Sequence, residues 1–202
     1  MRVASGLRNL ALGVATGSFL LAGAAFAQSG RLAGVNTKLV HEVNSQNAQP
    51  GQTIEATLQG SIKADGVDFP RGTELIGKVD RVTASQNGSA SKMSIEFTTA
   101  KLKDGKQVPV KVLVLGAFPA NESTEASYWN EDVGPAPKTV SSREKIDQEP
   151  GTLGKIAMTS SALGHASATF TNKDGDIKLM AGTYLQVGIR PANASGTMNS
   201  GA

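Results

Sequence analysis

The 202-residue sequence contains no cysteine, only two histidines and a single tryptophan. Without cysteine the chain forms no disulfide and offers no thiolate to a metal, which is compatible with an oxidising compartment such as the periplasm. A lipid anchor on a lipobox cysteine is excluded for the same reason. After residue 27 no stretch is long or apolar enough to span a bilayer, so we expect no transmembrane span in the rest of the chain.

The N-terminus has the pattern of a cleavable secretory signal peptide. Two arginines precede an apolar run of small residues, and small side chains at Ala25 and Ala27 suit the signal peptidase pocket. The pattern predicts a signal helix over 1–27, cleavage between Ala27 and Gln28, and a location in the periplasm or outside the cell. A retained membrane anchor is the alternative interpretation.

The charge and length of the remaining chain limit its function. Removal of Arg2 and Arg8 with the signal lowers the formal net charge at pH 7 from +3 to +1. A chain so close to neutrality has no electrostatic footprint for a nucleic acid, and we expect none as a partner. The length suits one domain over 28–190, followed by a small, polar tail over 191–202 that we expect to be disordered.

Threonine, valine, serine and glycine dominate the chain, and apolar residues at helical spacing are scarce. The segment 93–98 alternates apolar and polar side chains, as a strand with one wet face does. A Lys-Asp-Gly-Lys turn at 103–106 then leads into a strand over 108–115, which predicts a hairpin. Leu113 and Leu115 add apolar groups to its second face and predict cover on both sides.

Two further strands are predicted near the start of the domain, over 35–43 and 53–58, separated by a Pro-Gly turn. Together with the hairpin, they predict an all-β fold. The architecture is expected to be a small single-domain β-barrel or β-sandwich.

One short motif occurs twice, 110 residues apart, as VDFPRGTELIGKV from residue 67 and IKLMAGTYLQVGI from residue 177. In each copy a Gly-Thr pair precedes an alternating strand. Because glycine tolerates a positive φ and proline fixes its own, we expect the chain to turn a corner at both places. A barrel or sandwich needs equivalent corners, although a chance match of a common turn is the alternative. The predicted corner residues are Pro70, Gly72, Thr73, Gly182 and Thr183.

These motifs resemble the C-terminal β-barrel domain of TrbI-type proteins, which are components of conjugation and type IV secretion channels. The likeness lies in the Pro-Arg-Gly-Thr corner at 70–73 with its following Leu-Ile-Gly, the Lys-Asp-Gly turn at 103–105, and the Gly-Thr at 182–183. It covers residues 34 to 190 with a gap in the middle, and it extends to small secreted barrels of unknown role. The resemblance implies a β-barrel fold.

Two departures from that family affect the functional prediction. TrbI-type proteins place an inner-membrane helix and a long arm before the barrel, where this chain has a predicted signal peptide. Their barrel also carries an apolar helical hairpin, but the corresponding insertion here, 119–150, has seven acidic and three basic residues after position 120. Such a segment cannot span a bilayer, and its composition predicts a mobile polar insertion. We therefore carry over the fold and not the channel role.

The insertion contains an adjacent aromatic pair, Tyr128 and Trp129, in an acidic, proline-bearing context. Aromatic side chains supply large contact areas at low entropic cost, so one interpretation is that the pair anchors a partner. The other is that Trp129 folds back and caps the open end of the barrel.

Catalytic signatures are weak. His41 and Glu42 are neighbours in the predicted first strand and point to opposite faces, His165 stands alone, and no GxSxG elbow occurs. Asp174 and Asp176 flank a glycine but lack the other ligands of a calcium loop, so a hairpin turn is favoured. We predict no catalytic, cofactor-binding or metal site, and no cofactor.

The predicted function is that of a non-enzymatic binding or assembly module of the periplasm or cell envelope. The predicted partner is a protein or another envelope component. An accessory or structural component of a conjugation or type IV secretion channel is the first alternative, and an enzyme that acts on envelope polymers is the second.

Overall fold

The computed structural model describes residues 31–87, 89–120, 135–141 and 145–192, and in them the fold is all-β, as predicted. In that part of the chain no helix is long and apolar enough to cross a bilayer. The predicted signal peptide and residues 193–202 of the predicted tail lie outside the described residues, whereas Pro191, the first residue of that tail, belongs to the last strand. The strands in chain order are β1 Leu32–Leu39, β2 Val43–Asn44, β3 Thr53–Leu58, β4 Ile62–Ala64, β5 Val67–Phe69, β6 Glu74–Thr83, β7 Ser91–Lys101, β8 Gln107–Phe118, β9 Thr139–Val140, β10 Lys145–Leu153, β11 Ile156–Ser161, β12 Ala168–Asn172, β13 Lys178–Leu179 and β14 Tyr184–Pro191.

Six of these strands close into a barrel, in the order β7-β6-β3-β1-β14-β8, with β8 returning to β7. Every neighbouring pair is antiparallel. Closure leaves no free edge in the wall and identifies the architecture as a barrel rather than a sandwich.

The barrel interior is filled by alternate side chains of the wall strands. The β7–β8 hairpin is confirmed, and its strands pair where Thr99 faces Pro109. Met93 and Phe97 are buried on the inner face of β7, as predicted, and Val112 lies opposite in the wall of the same core. Burial of an aromatic or aliphatic side chain of this size contributes about 1.5–3 kcal/mol to the free energy of unfolding.

The outer face of β8 is also covered, as its apolar residues predicted. Leu113 packs with Leu32 and Val140 in a second, smaller apolar cluster. Val140 belongs to the strap, our name for residues 135–141, which pairs antiparallel with the start of β1 at Leu32 and Ala33. The strap lies so close to Gly34 that a Cβ there would stand 1.8 Å from the Pro137 carbonyl oxygen.

Strands β10, β11 and β12 form an arm that continues the sheet from the first half of β7. The arm enters the wall where β7 and β8 diverge, and Ser167 sits at that point. The Ser167 N–H donates to the Ile95 carbonyl, its hydroxyl accepts from the Phe97 N–H, and its carbonyl accepts from the Val114 N–H. The split between the two wall strands is therefore closed by hydrogen bonds.

The two motif copies are related by a pseudo-two-fold arrangement of strand pairs. The β1–β14 pair Thr37↔Leu185 corresponds to the β3–β6 pair Ala56↔Leu75, with shifts of 19 and 110 positions. The same shifts relate four further pairs of the two ladders. The axis passes where Lys38 faces Thr57, between β1 and β3. The repeat in the sequence therefore reflects two equivalent halves of one barrel.

Two segments differ from expectation. The first strand ends at Leu39 rather than continuing to residue 43, because the chain leaves the wall there to form a corner, and His41 lies beyond the strand. Within the predicted insertion 119–150, residues 139–140 pair with β1 and residues 145–150 belong to β10. Residues 121–134 and 142–144 lie outside the described residues.

Candidate interaction surface

Both predicted corners have the same backbone geometry. Gly72 and Gly182 adopt φ of +87° and +84°, and each occupies the third position of a turn closed by a hydrogen bond to the following threonine. Such turns favour glycine because a Cβ is strained at this φ. We name the turn 70–73 corner 1 and the turn 180–183 corner 2.

Each corner is bonded to the end of a neighbouring wall strand. At corner 1 the Gly72 N–H donates to the Leu58 carbonyl, and at corner 2 the Gly182 N–H donates to the Leu39 carbonyl. The N–H groups of both leucines donate in return to the carbonyls of the corner threonines. Thr73 adds a bond from its hydroxyl to the Pro70 carbonyl at 2.8 Å. The predicted corner residues thus join β3 to β6 and β1 to β14.

The two corners differ in their surface side chains. Corner 2 exposes Val40 and Met180, at 38% and 42% of their full accessible areas. The pseudo-two-fold places Gln59 and Pro70 at the equivalent positions of corner 1, and both are half-buried. The Gln59 side chain donates to the Thr57 carbonyl there. The two corners therefore share one backbone geometry, but only corner 2 has exposed apolar side chains at these positions.

Aromatic side chains extend the apolar area of corner 2 along the outer wall. Tyr184 of β14 pairs in register with Phe118 of β8, and the Lys38 Nζ lies 4.6 Å from the centre of the tyrosine ring. Ala120 lies against Gly182, where an added Cβ would come within 3.3 Å of it. We call these residues the corner-2 surface: Val40, Phe118, Ala120, Met180, Ala181 and Tyr184.

We did not predict the corner-2 surface from the sequence, although the sequence contains a signal for it. Alignment of the two motif copies sets Met180 against Pro70 and Ala181 against Arg71, two apolar residues at turn positions. The predicted anchors Tyr128 and Trp129 lie outside the described residues. The segment that contains them follows Ala120 directly in the chain.

The histidines are found at separate elements. His41 is exposed beside corner 2, where its neighbour Glu42 pairs with Lys178 at 3.3 Å. His165 is exposed in the turn between β11 and β12. Among the residues that the structure describes, no group of three histidine or acidic side chains is placed to hold a metal ion.

The Asp-Gly-Asp turn at 174–176 has a structural explanation. One carboxylate oxygen of Asp176 accepts from the Ser85 N–H at 3.0 Å and from the Ser45 hydroxyl at 3.1 Å. The Asn172 side chain donates to the Asp176 carbonyl at 2.8 Å. The strands on either side of the turn, β12 and β13, do not pair with each other, so it is not a hairpin turn.

One lysine on the outer wall is shifted in its ionisation. Burial lowers the pKa of Lys111; the nearby Glu96 carboxylate opposes this change and the Arg190 guanidinium adds to it. The Lys111 ammonium donates to the Gly164 carbonyl in the β11–β12 turn. This contact holds the arm against β8.

A shallow depression of about 430 Å³ lies beside corner 1. Glu74 and Lys101 line it and form an ion pair at 3.0 Å. Both side chains are nearly half exposed, so the pair is screened by water. The depression holds no histidine or hydroxyl nucleophile among its lining residues.

Comparisons with known proteins include a similarity to a solved structure. No protein-family model and no curated protein matches the sequence. The chain is similar to ComB10 of the Com type IV secretion system of Helicobacter pylori, with 10% sequence identity and a TM-score of 0.37. The alignment covers 79% of this chain and 85% of that one.

Proposed function

We propose that this protein is a non-enzymatic β-barrel of the periplasm or cell envelope, and that it binds a protein partner through the corner-2 surface. The contrast between the two corners carries this proposal. Val40 and Met180 occupy positions that the same backbone fills at corner 1 with Gln59 and Pro70. Because the turn itself does not require exposed apolar groups, their presence at corner 2 needs another physical reason.

The chemistry of the surface suits a polypeptide partner. Methionine is flexible and polarisable and adapts to irregular apolar contacts, and aromatic rings supply rigid area. Lys38 and the Glu42–Lys178 ion pair border the apolar residues with charge. An apolar centre with a polar rim is the usual arrangement of a protein interface.

Binding is favoured over catalysis by the separate locations of the titratable groups. His41 and His165 are exposed on different elements, and Asp176 is engaged by Ser45 and Ser85. An enzyme acting on envelope polymers would need such groups to converge in one concave site. The envelope location rests on the predicted signal peptide, and detection of a mature N-terminus at Gln28 by mass spectrometry would test it.

A second candidate is an accessory or structural component of a conjugation or type IV secretion channel. It is favoured by the corner 1 motif and the second Gly-Thr, which resemble those of TrbI-type barrels. This candidate predicts neighbouring genes for other channel parts and assembly into rings. A gene that stands alone and a protein that forms no ring would count against it.

Photo-crosslinking at equivalent positions of the two corners tests the binding proposal. A photoreactive residue would replace Ala181 at corner 2 and, as the matched control, Arg71 at corner 1, since both positions are exposed. We expect one defined protein adduct from position 181 in cells and none from position 71.

The same experiment in a Met180→Gln background separates a specific contact from proximity. This change keeps the length of the side chain and removes its apolar character, so the adduct at 181 should fall several-fold. Equal adducts at the two corners, or an adduct that Met180→Gln leaves unchanged, would refute the proposal.

A further inference from the structure

The outer edge of β10 is an unpaired strand edge. Each of the six barrel strands has a neighbour on both sides, whereas β10 is the last strand of the arm, and no strand of the described residues pairs with its outer side. Such an edge presents a row of backbone donors and acceptors to any strand that can lie beside it.

Only the first half of β10 is regular enough to act as a template. Residues 145–148 pair without interruption with β11, and the register breaks between Gln148 and Leu153, a stretch that contains Pro150. Proline and an irregular register both protect an edge from pairing. The regular half carries neither feature.

The regular half is also held firmly against the barrel. The Gln148 side chain accepts from the Ala117 N–H at 2.8 Å and donates to the Ala117 carbonyl at 2.7 Å, in the manner of a neighbouring strand. Ile146 packs on the main core. Because β10 is already fixed in an extended conformation, a strand that pairs with it orders only itself.

The outward face of this half carries opposite charges two residues apart. Lys145 and Asp147 form an ion pair at 3.0 Å, and their side chains are 68% and 48% exposed. The intervening residue, Ile146, points to the other face.

We infer that a second copy of this chain pairs with the β10 edge in an antiparallel, two-fold arrangement with Ile146 opposite Ile146. In that register Lys145 of each copy faces Asp147 of the other, so the four charges alternate in sign. Directly opposite residues in an antiparallel pair attract or repel according to their charge. A shift of two residues one way sets Lys145 against Lys145, and the other way sets Asp147 against Asp147.

The resulting dimer is expected to be concentration-dependent. Four residues of edge pairing bury less surface than stable interfaces do, so the association is weak compared with an obligate dimer. The two arms would join into one continuous sheet that runs from barrel to barrel, with isologous contacts.

Charge reversal tests the inference, with sedimentation velocity over a range of concentrations as the measurement. Lys145→Asp and Asp147→Lys each place like charges opposite one another, and each should raise the dimer dissociation constant by about tenfold or more. The double exchange, Lys145→Asp with Asp147→Lys, restores alternating charges and should recover most of the affinity.

A matched control removes the general effect of a charge change. Lys63→Asp reverses a lysine in the exposed Lys63–Asp68 pair of the β4–β5 hairpin and should leave the dimer unchanged. A monomer at all concentrations, or a double exchange no better than the single changes, would overturn the inference. An assembly larger than a dimer would do so as well, because an isologous edge contact closes at two copies.

Discussion

The positive φ at the two corner glycines can be tested by adding a single methyl group. Alanine at position 72 or 182 would keep the backbone but must adopt φ of +87° or +84°. A left-handed conformation costs an L-residue about 1–2 kcal/mol. Alanine also restricts the unfolded chain, which offsets about 0.4–1 kcal/mol of that cost. The net loss in the free energy of unfolding should be about 1 kcal/mol for each substitution.

Steric contacts change this value little. A Cβ on Gly72 would lie 2.9 Å from the Lys103 Cε, and this flexible side chain can move away. A Cβ on Gly182 would lie 3.3 Å from the Ala120 Cβ, which requires a shift of a few tenths of an ångström. The two sites contact different residues, so the double variant should lose about 2 kcal/mol.

Urea unfolding followed by far-ultraviolet circular dichroism measures these losses, with Gly60→Ala as the control. Gly60 has no positive φ, and an added Cβ would find only Val35 at 3.7 Å, an ordinary contact. This control should be neutral or slightly stabilising. Losses at Gly72→Ala and Gly182→Ala no larger than that of the control would refute the role of backbone strain at the corners.

Four other perturbations follow from the contacts of the wall, the strap and the arm. Gln148→Ala leaves the N–H and carbonyl of Ala117 without their partner, so urea unfolding should show a loss of about 1–3 kcal/mol, and no loss would mean that water replaces the amide. Gly77→Ala places a Cβ 2.2 Å from a backbone oxygen of β7 and should cost about 3 kcal/mol or more. Gly34→Ala displaces only the strap, so it should make the strap sensitive to limited proteolysis and should cost less stability than Gly77→Ala. A larger loss from Gly34→Ala than from Gly77→Ala would contradict the fold. Burial lowers the pKa of Lys111, so between that pKa and the ordinary value of 10.5 the unfolded chain binds more protons than the folded chain. The free energy of unfolding should therefore rise with pH in this range, relative to that of Lys111→Met. Parallel pH profiles of the two proteins would disprove the shift.

The strands and turns that the sequence predicted correctly are those specified by patterns within a few neighbouring residues. The alternation over 93–98 and the Lys-Asp-Gly turn specified the β7–β8 hairpin, because side chains of a strand alternate between faces whatever the fold. Such patterns predicted the first strand wrongly. Leu39 ends it because its backbone bonds to Gly182 and Thr183, and no local pattern near residue 39 reveals partners so distant in the chain.

The corner-2 surface could not be predicted from local sequence patterns, for a similar reason. Met180 and Ala181 were visible as apolar residues in a turn, but their exposure depends on what packs around corner 2. Phe118 and Tyr184 become neighbours only because β8 and β14 pair in one register of the wall. The unpaired edge of β10 likewise exists only once the other strands have found their partners.

The all-β class, the β7–β8 hairpin and the two glycine-threonine turns follow from short stretches of sequence, because side-chain alternation and glycine's tolerance of positive φ act over a few residues. Three features are visible only in the folded chain: the strands form a closed barrel, its halves are related by a pseudo-two-fold, and the arm fills the split beside Ser167. Those features depend on which strand edges meet. Edge hydrogen bonds are alike for every sequence, so their pairing is chosen by the packing of the whole core.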